Sequence, residues 1–222
     1  MPAPISVVIP TLNAAATLSD TLEALVEGLD AGLVTELIVS DGGSEDGTAV
    51  LADAWGATVI DGPASRGGQL RRGCAAARGP WLLVLHADTV LQPGWTDAVR
   101  THLTGSQAGY FQLRFDRGGR LVAGWANLRS RWFGLPYGDQ GLLLSRMLYE
   151  RTGGYRDIPL MEDVAMARAL RGYLQPLESV AQTSAARYRA QGWIRRGARN
   201  LTLLAQFLLG ADPARLAQRY RR

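Results

Sequence analysis

Residues 81–88, WLLVLHAD, open on five mostly large, apolar residues and break into His86-Ala87-Asp88. A short apolar run without alternation reads as a strand covered on both faces, the pattern of a parallel sheet. Upstream, ISVVIP (5–10), ELIVSD (36–41) and ATVI (57–60) read the same way. Between the first two, Ala14 to Leu29 carries Leu18, Leu22, Leu25, Val26 and Leu29 at helical spacing. A Gly-rich turn then leads to a helix over 47–55, and RGGQLRRGCAAARG (66–79) reads as a loop entering a helix. Strands alternating with helices predict a parallel α/β sheet with helices on both faces. Ligands of such sheets bind outside the carboxyl ends of the strands. Thr11, Asn13, Asp41, His86 and Asp88 all fall on that rim.

The second half changes character. AGYFQLRF (108–115) alternates like a strand, and RLVAGWANLRSRWFG (120–134) resembles an amphipathic helix. GDQGLLLS (138–145) reads as a further strand, followed by a short helix running to RTGGY. LMEDVAMARALRG (160–172) reads as a helix with Glu162 and Asp163 in its first turn. No low-complexity linker intervenes, so 1–190 is expected to be one domain with a nucleotide half (1–90) and an acceptor half (91–190). Residues 191–222 are expected to form a basic amphipathic helical tail, one helix from Trp193 and a last one from Asp212-Pro213.

Composition bounds the chemistry. A chain of 222 residues, 47% hydrophobic and 20% charged, suits one globular domain with an appendage. The single Cys74 excludes an internal disulfide and a cysteine-based zinc cluster, reads as a small buried residue, and fits a cytosolic setting. The N-terminus lacks the pattern of a signal peptide, and no run of about 18 apolar residues exists to span a membrane. All 24 basic residues are arginine. From Arg187 onward nine arginines face one acid, Asp212, a balance of +8; the preceding residues hold 15 arginines and 19 acids, a balance of −4. The tail has three readings: a solvated or dimer-packing helix, an anchor on anionic lipid through Trp193, Ile194, Leu201, Leu204, Phe207 and Leu208, or a nucleic-acid contact. No recognised reader motif supports the last.

The polar stretches supply candidates. VSDGGSEDGT (39–48) ends a strand on a carboxylate that suits a nucleobase or ribose; the alternative is a helix-entry turn with Ser44 or Asp46 as cap. Gly-x-Gly-x-x-Gly is absent after the first strand and there is no Walker loop, which argues against a dehydrogenase or ATPase. Hard divalent cations are held through one or two carboxylates plus substrate phosphates, which suits Asp88 at a strand end. His86, two positions earlier, would point the same way if the strand continued; by itself it reads equally as a satisfied buried histidine. In PLMEDVAM (159–166) the two acids favour the helix dipole, or Asp163 takes a proton from an attacking hydroxyl with Glu162 in support.

Together SVVIPTLNAAATL, ELIVSDGGSEDGT, RGGQLRRGCAAARG, LLVLHADT, LPYGDQGLLLSR and GGYRDIPLMEDVAMARALR resemble the family 2 inverting glycosyltransferases of the GT-A fold, over about residues 4 to 190. More narrowly, HADT, PYGDQG and DIPLMED look like a small radical-SAM/selenodomain-associated subgroup linked to arsenosugar biosynthesis. The resemblance implies that Asp41 contacts the nucleotide base, with Thr11 and Asn13 lining that pocket and Arg66 or Arg71 near the base or diphosphate. It implies that Asp88 matches the last aspartate of the family's Asp-x-Asp metal motif, Asp163 its base, and that Asp139 and Gln140 border the acceptor pocket. His86 replaces the first acid of that motif and favours Mn²⁺ over Mg²⁺. The Gln-x-x-Arg-Trp motif of processive members is absent, TSAARY (183–188) offering only Arg187 and Tyr188, so a single transfer is expected. The implied partners are a nucleotide-diphosphate sugar and a small-molecule or lipid-linked hydroxyl acceptor, in the cytoplasm or at the inner face of the membrane. A nucleotidyltransferase and a non-catalytic nucleotide-sugar-binding protein with a membrane-surface tail are the alternatives.

Overall fold

The computed structural model describes residues 3–221. Its strands are β1 (Ile5–Thr11), β2 (Val34–Asp41), β3 (Thr58–Asp61), β4 (Trp81–Val84), β5 (Thr89–Leu91), β6 (Ala108–Phe115), β7 (Leu142–Ser145) and β8 (Leu174–Thr183). They form one sheet of order β3-β2-β1-β4-β7-β6-β8-β5. β1 to β4 run parallel to one another, β7 is antiparallel to both β4 and β6, β6 and β8 are parallel, and β5 runs antiparallel to β8.

The helices are α1 (Ala15–Asp30), α2 (Thr48–Ala54), α3 (Arg66–Ala76), α4 (Trp95–His102), α5 (Arg120–Phe133), α6 (Arg146–Arg151), α7 (Glu162–Ala169), α8 (Ala186–Gln191), α9 (Trp193–Leu208) and α10 (Pro213–Arg221). Leu18, Leu22 and Leu25 of α1 enter one apolar core with Val7 and Ile9 of β1, Leu91 of β5, Trp95 of α4 and Ala181 of β8. Residues from both ends of the sheet thus share a core, and the sheet curls around α1. A second core on the other side joins Val8, Ile38, Leu70 and Leu144 to Met166 and Leu170 of the α7 segment. Among the described residues no helix is long and apolar enough to cross a membrane.

Four sequence expectations are corrected. β4 stops at Val84, so strand alternation does not set the directions of His86 and Asp88, and a separate short strand, β5, follows them. The run from Arg66 is helical from its first residue, with Ser65 as cap. Its glycines are packing positions: a Cβ on Gly67 would overlap the Arg156 carbonyl, and one on Gly68 would lie 2.6 Å from Asp157 Oδ1. Gly138–Gln140 forms a 3-10 turn ahead of β7 instead of strand. β8 was not expected at all: Pro176 and Glu178 interrupt its pattern, and its register against β6 shifts between Tyr110 and Gln112.

The C-terminal helices fold back onto the sheet. Leu203, Leu204, Phe207, Leu216 and Ala217 share a core with Leu160, Met161 and Val164 around the start of α7. Trp193 packs edge-on to Phe115 at 5.2 Å and stacks on Tyr188 at 5.0 Å. Of the six residues offered above as lipid anchors, Leu204 and Phe207 are therefore buried and Trp193 is packed inward, while Ile194, Leu201 and Leu208 are exposed.

Candidate active site

A cleft of ≈ 600 Å³ opens beyond the carboxyl ends of β1 and β4, lined by Thr11 and Asn13, Arg66, His86 and Asp88, Tyr137 to Asp139, Met161 and Asp163, and residues of α8 to α10. Its first edge is two loops braced to each other. The first amides of α1 have no cap from their own segment. The Ala14 amide donates to Thr48 Oγ1 at 2.8 Å, and that of Ala15 to Asp46 Oδ2 at 3.0 Å, so the following loop caps the helix from outside. Asn13, at φ 51°, donates from its amide to Ser44 Oγ and accepts from the Glu45 amide.

Asp41 is the post of this brace. Its oxygens accept from Thr11 Oγ1 at 2.6 Å, from Ser44 Oγ and the Ser44 amide at 2.6 Å each, and from the Gly43 amide at 2.9 Å. Burial alone would raise its pKa; the hydrogen bonds from Ser44, Thr11 and Gly43 together outweigh that and hold it below the usual carboxylate value. The carboxylate expected to meet a nucleobase is thus 2% exposed and hydrogen-bonded to Thr11 on the neighbouring strand and to its own loop. Gln69, which sequence reasoning missed, spans the two strand ends, donating to the Thr11 carbonyl at 2.6 Å and the Ser40 carbonyl at 3.0 Å. A buried amide side chain with backbone partners leaves no local sequence signal.

The arginines of α3 separate by helical phase. Arg66 faces the cleft, Nε lying 3.6 Å from Glu162 Oε1. Arg71 is exposed and does not line the cleft, and its neighbour Arg72 reaches toward the Asp41 carbonyl at 3.4 Å.

His86 and Asp88 both reach the cleft. Burial pushes the His86 imidazole down to about 3, with Arg66 and Arg187 adding to the effect, so its ring is neutral. A neutral imidazole and a carboxylate two positions on are a mixed nitrogen–oxygen donor pair. The described residues hold no group of three such side chains able to bind a metal, so this pair would supply only part of a shell, which suits a cation otherwise held by phosphates and water.

α7 delivers the acids. Met161, at φ 67°, turns the chain so that Glu162 points into the protein and Asp163 into the cleft. Asp163 Oδ2 accepts from the Gly138 amide at 2.9 Å and Oδ1 from the Val164 amide at 2.7 Å. Glu162 is 1% exposed, and neither of its oxygens has a hydrogen-bond partner. Burial pushes its carboxyl up to about 8, Asp163 adds to this, and Arg66 opposes it. At 3.6 Å Arg66 is beyond hydrogen-bond reach, so burial prevails. Asp139 also lines the cleft; burial pushes it up to about 6, against Arg129 and with the help of Asp163 and Asp88. Asp139 Oδ1 and the Tyr137 hydroxyl are buried without partners. Gln140 does not reach the cleft: fully enclosed, it bonds Ser130 Oγ at 2.6 Å and the Phe111 carbonyl at 3.1 Å, anchoring the turn from below.

The pattern of glycosyl transferase family 2 matches residues 6–165. The chain belongs to that family. Glucosyl-3-phosphoglycerate synthase of Mycobacterium tuberculosis is 36% identical over 95 residues, 39% of this chain and 29% of that protein, so the chain matches under a third of the length of this curated relative. A crystal structure of the same synthase with Mn²⁺, UDP-glucose and phosphoglyceric acid aligns with TM-score 0.58 and 25% identity, covering 82% of this chain and 70% of that one. The mannosyltransferase PcManGT from Pyrobaculum calidifontis, in complex with GDP-mannose and Mn²⁺, aligns with TM-score 0.69 over 95% of this chain and 66% of its own, at 20% identity, a likeness of fold. As a family 2 glycosyltransferase the chain has the mixed α/β GT-A architecture, and the family match ends just inside α7, before β8 and the C-terminal helices.

Proposed function

We propose that this family 2 glycosyltransferase moves a sugar from a nucleotide diphosphate to a hydroxyl acceptor in a single transfer with inversion. The observation that carries the reading is Asp163, turned into the cleft beside an inward Glu162 and facing the rim that bears His86 and Asp88. Two adjacent carboxyls in unlike surroundings divide their roles: the buried Glu162 holds its proton, and Asp163 faces the cleft.

Asp163 takes the proton of the acceptor hydroxyl as its oxygen bonds to the anomeric carbon. The bond from that carbon to the diphosphate oxygen breaks on the opposite face, and the diphosphate leaves with the electron pair. A base in that position contributes on the order of 10²–10⁴-fold. The Gly138 amide holds Asp163 in place, and Arg66 at the N-terminus of α3 sets a positive charge beside the departing anion. A divalent cation, Mn²⁺ or Mg²⁺, held by Asp88 and His86 would neutralise charge developing on the diphosphate. The Mn²⁺ complexes of the relatives support a divalent cation as cofactor. Asp139 and Tyr137, with unpartnered buried oxygens at the cleft, suit hydroxyl groups of the incoming sugars. Thr11 and Asn13 border the nucleotide end. By HADT, PYGDQG and DIPLMED we also infer membership of the radical-SAM/selenodomain-associated, arsenosugar-type subgroup.

The test is product analysis. The full chain, incubated with Mn²⁺, UDP- or GDP-sugars and a panel of hydroxyl acceptors, is expected to release nucleoside diphosphate and form a glycoside of inverted configuration by proton NMR. Pyrophosphate release would instead mark a nucleotidyltransferase, and donor binding without consumption a binding protein.

For the tail, we infer that the exposed edge of α9 rests on an anionic bilayer. Ile194 at 89% exposure, with Leu201 and Leu208, lies beside Arg195 and Arg199, and no acid occurs from Arg187 to Ala211. Cosedimentation with phosphatidylglycerol vesicles, lost in Ile194→Glu/Leu201→Glu, is the expected result; equal sedimentation of both proteins would exclude it.

A further inference from the structure

The wall that α8 to α10 add to the cleft is cationic, and its central charge is unneutralised. Arg196 is 6% exposed yet has no carboxyl group beside it; among the described residues the arginines within 4 Å of one are Arg66, beside Glu162, and Arg78, beside Glu36. Its guanidinium sits 5.4 Å from the ring centres of both Tyr188 and Tyr220. Nη1 donates to Gln191 Oε1 at 2.9 Å, Nη2 to the Tyr220 hydroxyl at 2.6 Å, and Nε has no partner. A buried guanidinium without a counter-charge is costly, and an anion entering the cleft would relieve it.

The two phenols are polarised the same way. Tyr220 accepts from Arg196, and Tyr188 accepts from Asn200 Nδ2 at 3.1 Å. With their oxygens so occupied, each hydroxyl hydrogen is left to be donated elsewhere. Arg196, Asn200, Tyr188 and Tyr220 all line the cleft, and the tail contributes no acid to it. The wall therefore offers donors and positive charge, opposite a floor that carries Asp88, Asp139 and Asp163.

Arg187, on α8, lines the same cleft. Arg196 belongs to the helices clamped on α7, where Leu203, Leu216 and Ala217 pack against Met161 and Val164 on either side of the Glu162-Asp163 pair. We propose that Arg196, with the hydroxyls of Tyr188 and Tyr220, is an anion subsite for the acceptor, which carries a carboxylate or phosphate besides the hydroxyl it presents to Asp163. This rests on the transfer reading above and names the class of its acceptor.

Calorimetry on the full chain tests it. Glycerol 3-phosphate, glycerate and glycerol are titrated separately into protein saturated with Mn²⁺ and UDP or GDP. The phosphate or the carboxylate, whichever the subsite takes, is expected to bind at least tenfold more tightly than glycerol. Arg196→Gln is expected to erase that preference, Tyr220→Phe to lower it a few-fold, and Arg196→Lys to restore most of it, with nucleotide affinity within twofold of the parent throughout. The proposal is overturned if the anions bind no better than glycerol, if Arg196→Gln binds them unchanged, or if they compete with the nucleotide. Failure of the nucleotide itself to bind would remove the transfer reading instead, and the same titrations on the free chain would then judge the anion subsite alone.

Discussion

His86 and Asp163 close on the same residue, Gly138. A Cβ there would overlap Nε2 of the imidazole, while the Gly138 amide donates to Asp163 Oδ2 at 2.9 Å. One backbone unit thus sets the spacing between the His86 and Asp163 sides of the cleft. Gly138→Ala is expected to push the imidazole aside and cost at least tenfold in kcat/KM. Steady-state kinetics beside a thermal melt check this, since a loss explained by unfolding alone would appear in the melt.

Asp163→Asn keeps the shape of the side chain and removes its basicity. Turnover is expected to fall about 10²–10⁴-fold, with nucleotide affinity unchanged by calorimetry. Unchanged turnover would move the base elsewhere, Asp139 being another carboxyl that lines the cleft.

Chelation probes the cation without reference to turnover. UDP or GDP is expected to bind the parent chain more weakly in EDTA than in Mn²⁺. In Asp88→Ala the two affinities should coincide, and in His86→Ala the gap should narrow. An equal gap in all three proteins would place the ion on other residues.

Glu162 sets a pH dependence of stability. Its folded pKa, about 8, lies above the ordinary glutamate value, so the native chain holds a proton that the unfolded chain releases as pH rises. That stability is complete below the unfolded pKa and is lost as pH climbs toward 8, at a limiting slope of about 1.4 kcal/mol per pH unit. Glu162→Gln cannot ionise, so its urea-unfolding free energy should run flatter between pH 5 and 8 and exceed the parent's at pH 8. Parallel profiles would mean that Arg66 keeps the carboxylate charged.

Asp41 behaves in the opposite sense. Its pKa is depressed, so its stabilisation is present above the unfolded value and disappears as pH falls through the folded one. Asp41→Asn turns an amide toward the donors of Gly43 and Ser44 and should cost about 1–3 kcal/mol at neutral pH. In acid the difference from the parent should shrink, as measured by denaturant titration at several pH values.

The first half of the fold was legible because β1, β2 and β4 carry short, mostly apolar runs without alternation and α1 repeats leucine at helical spacing. The rim rule then brought Thr11, Asn13, His86 and Asp88 to one cleft, and Asp163, singled out by the paired acids and the family resemblance, lines it too. What escaped was tertiary. Asp41 was read as a ligand or a turn, whereas its partners arrive from Thr11 on the neighbouring strand as well as from its own loop. Arg71 and Arg72 differ by one helical step, as do Asp139 and Gln140 by one step of a tight turn, and spacing alone did not say which of each pair faces inward. β8 carries Pro176 and a register shift, and both blur the period on which a strand is recognised. The tail read as amphipathic, yet only the structure showed its apolar face divided between α7 and the surface.

The core shared by α7, α9 and α10 also bears on biosynthesis. A ribosome releases the chain from its N-terminus, so Leu160, Met161 and Val164 emerge well before Leu203, Phe207 and Leu216, which cover them. Until those last helices arrive, the nascent protein carries an open apolar seam beside Asp163. A gene cut at codon 190 is therefore expected to yield not a minimal transferase but a sticky, chaperone-bound fragment with half a cleft.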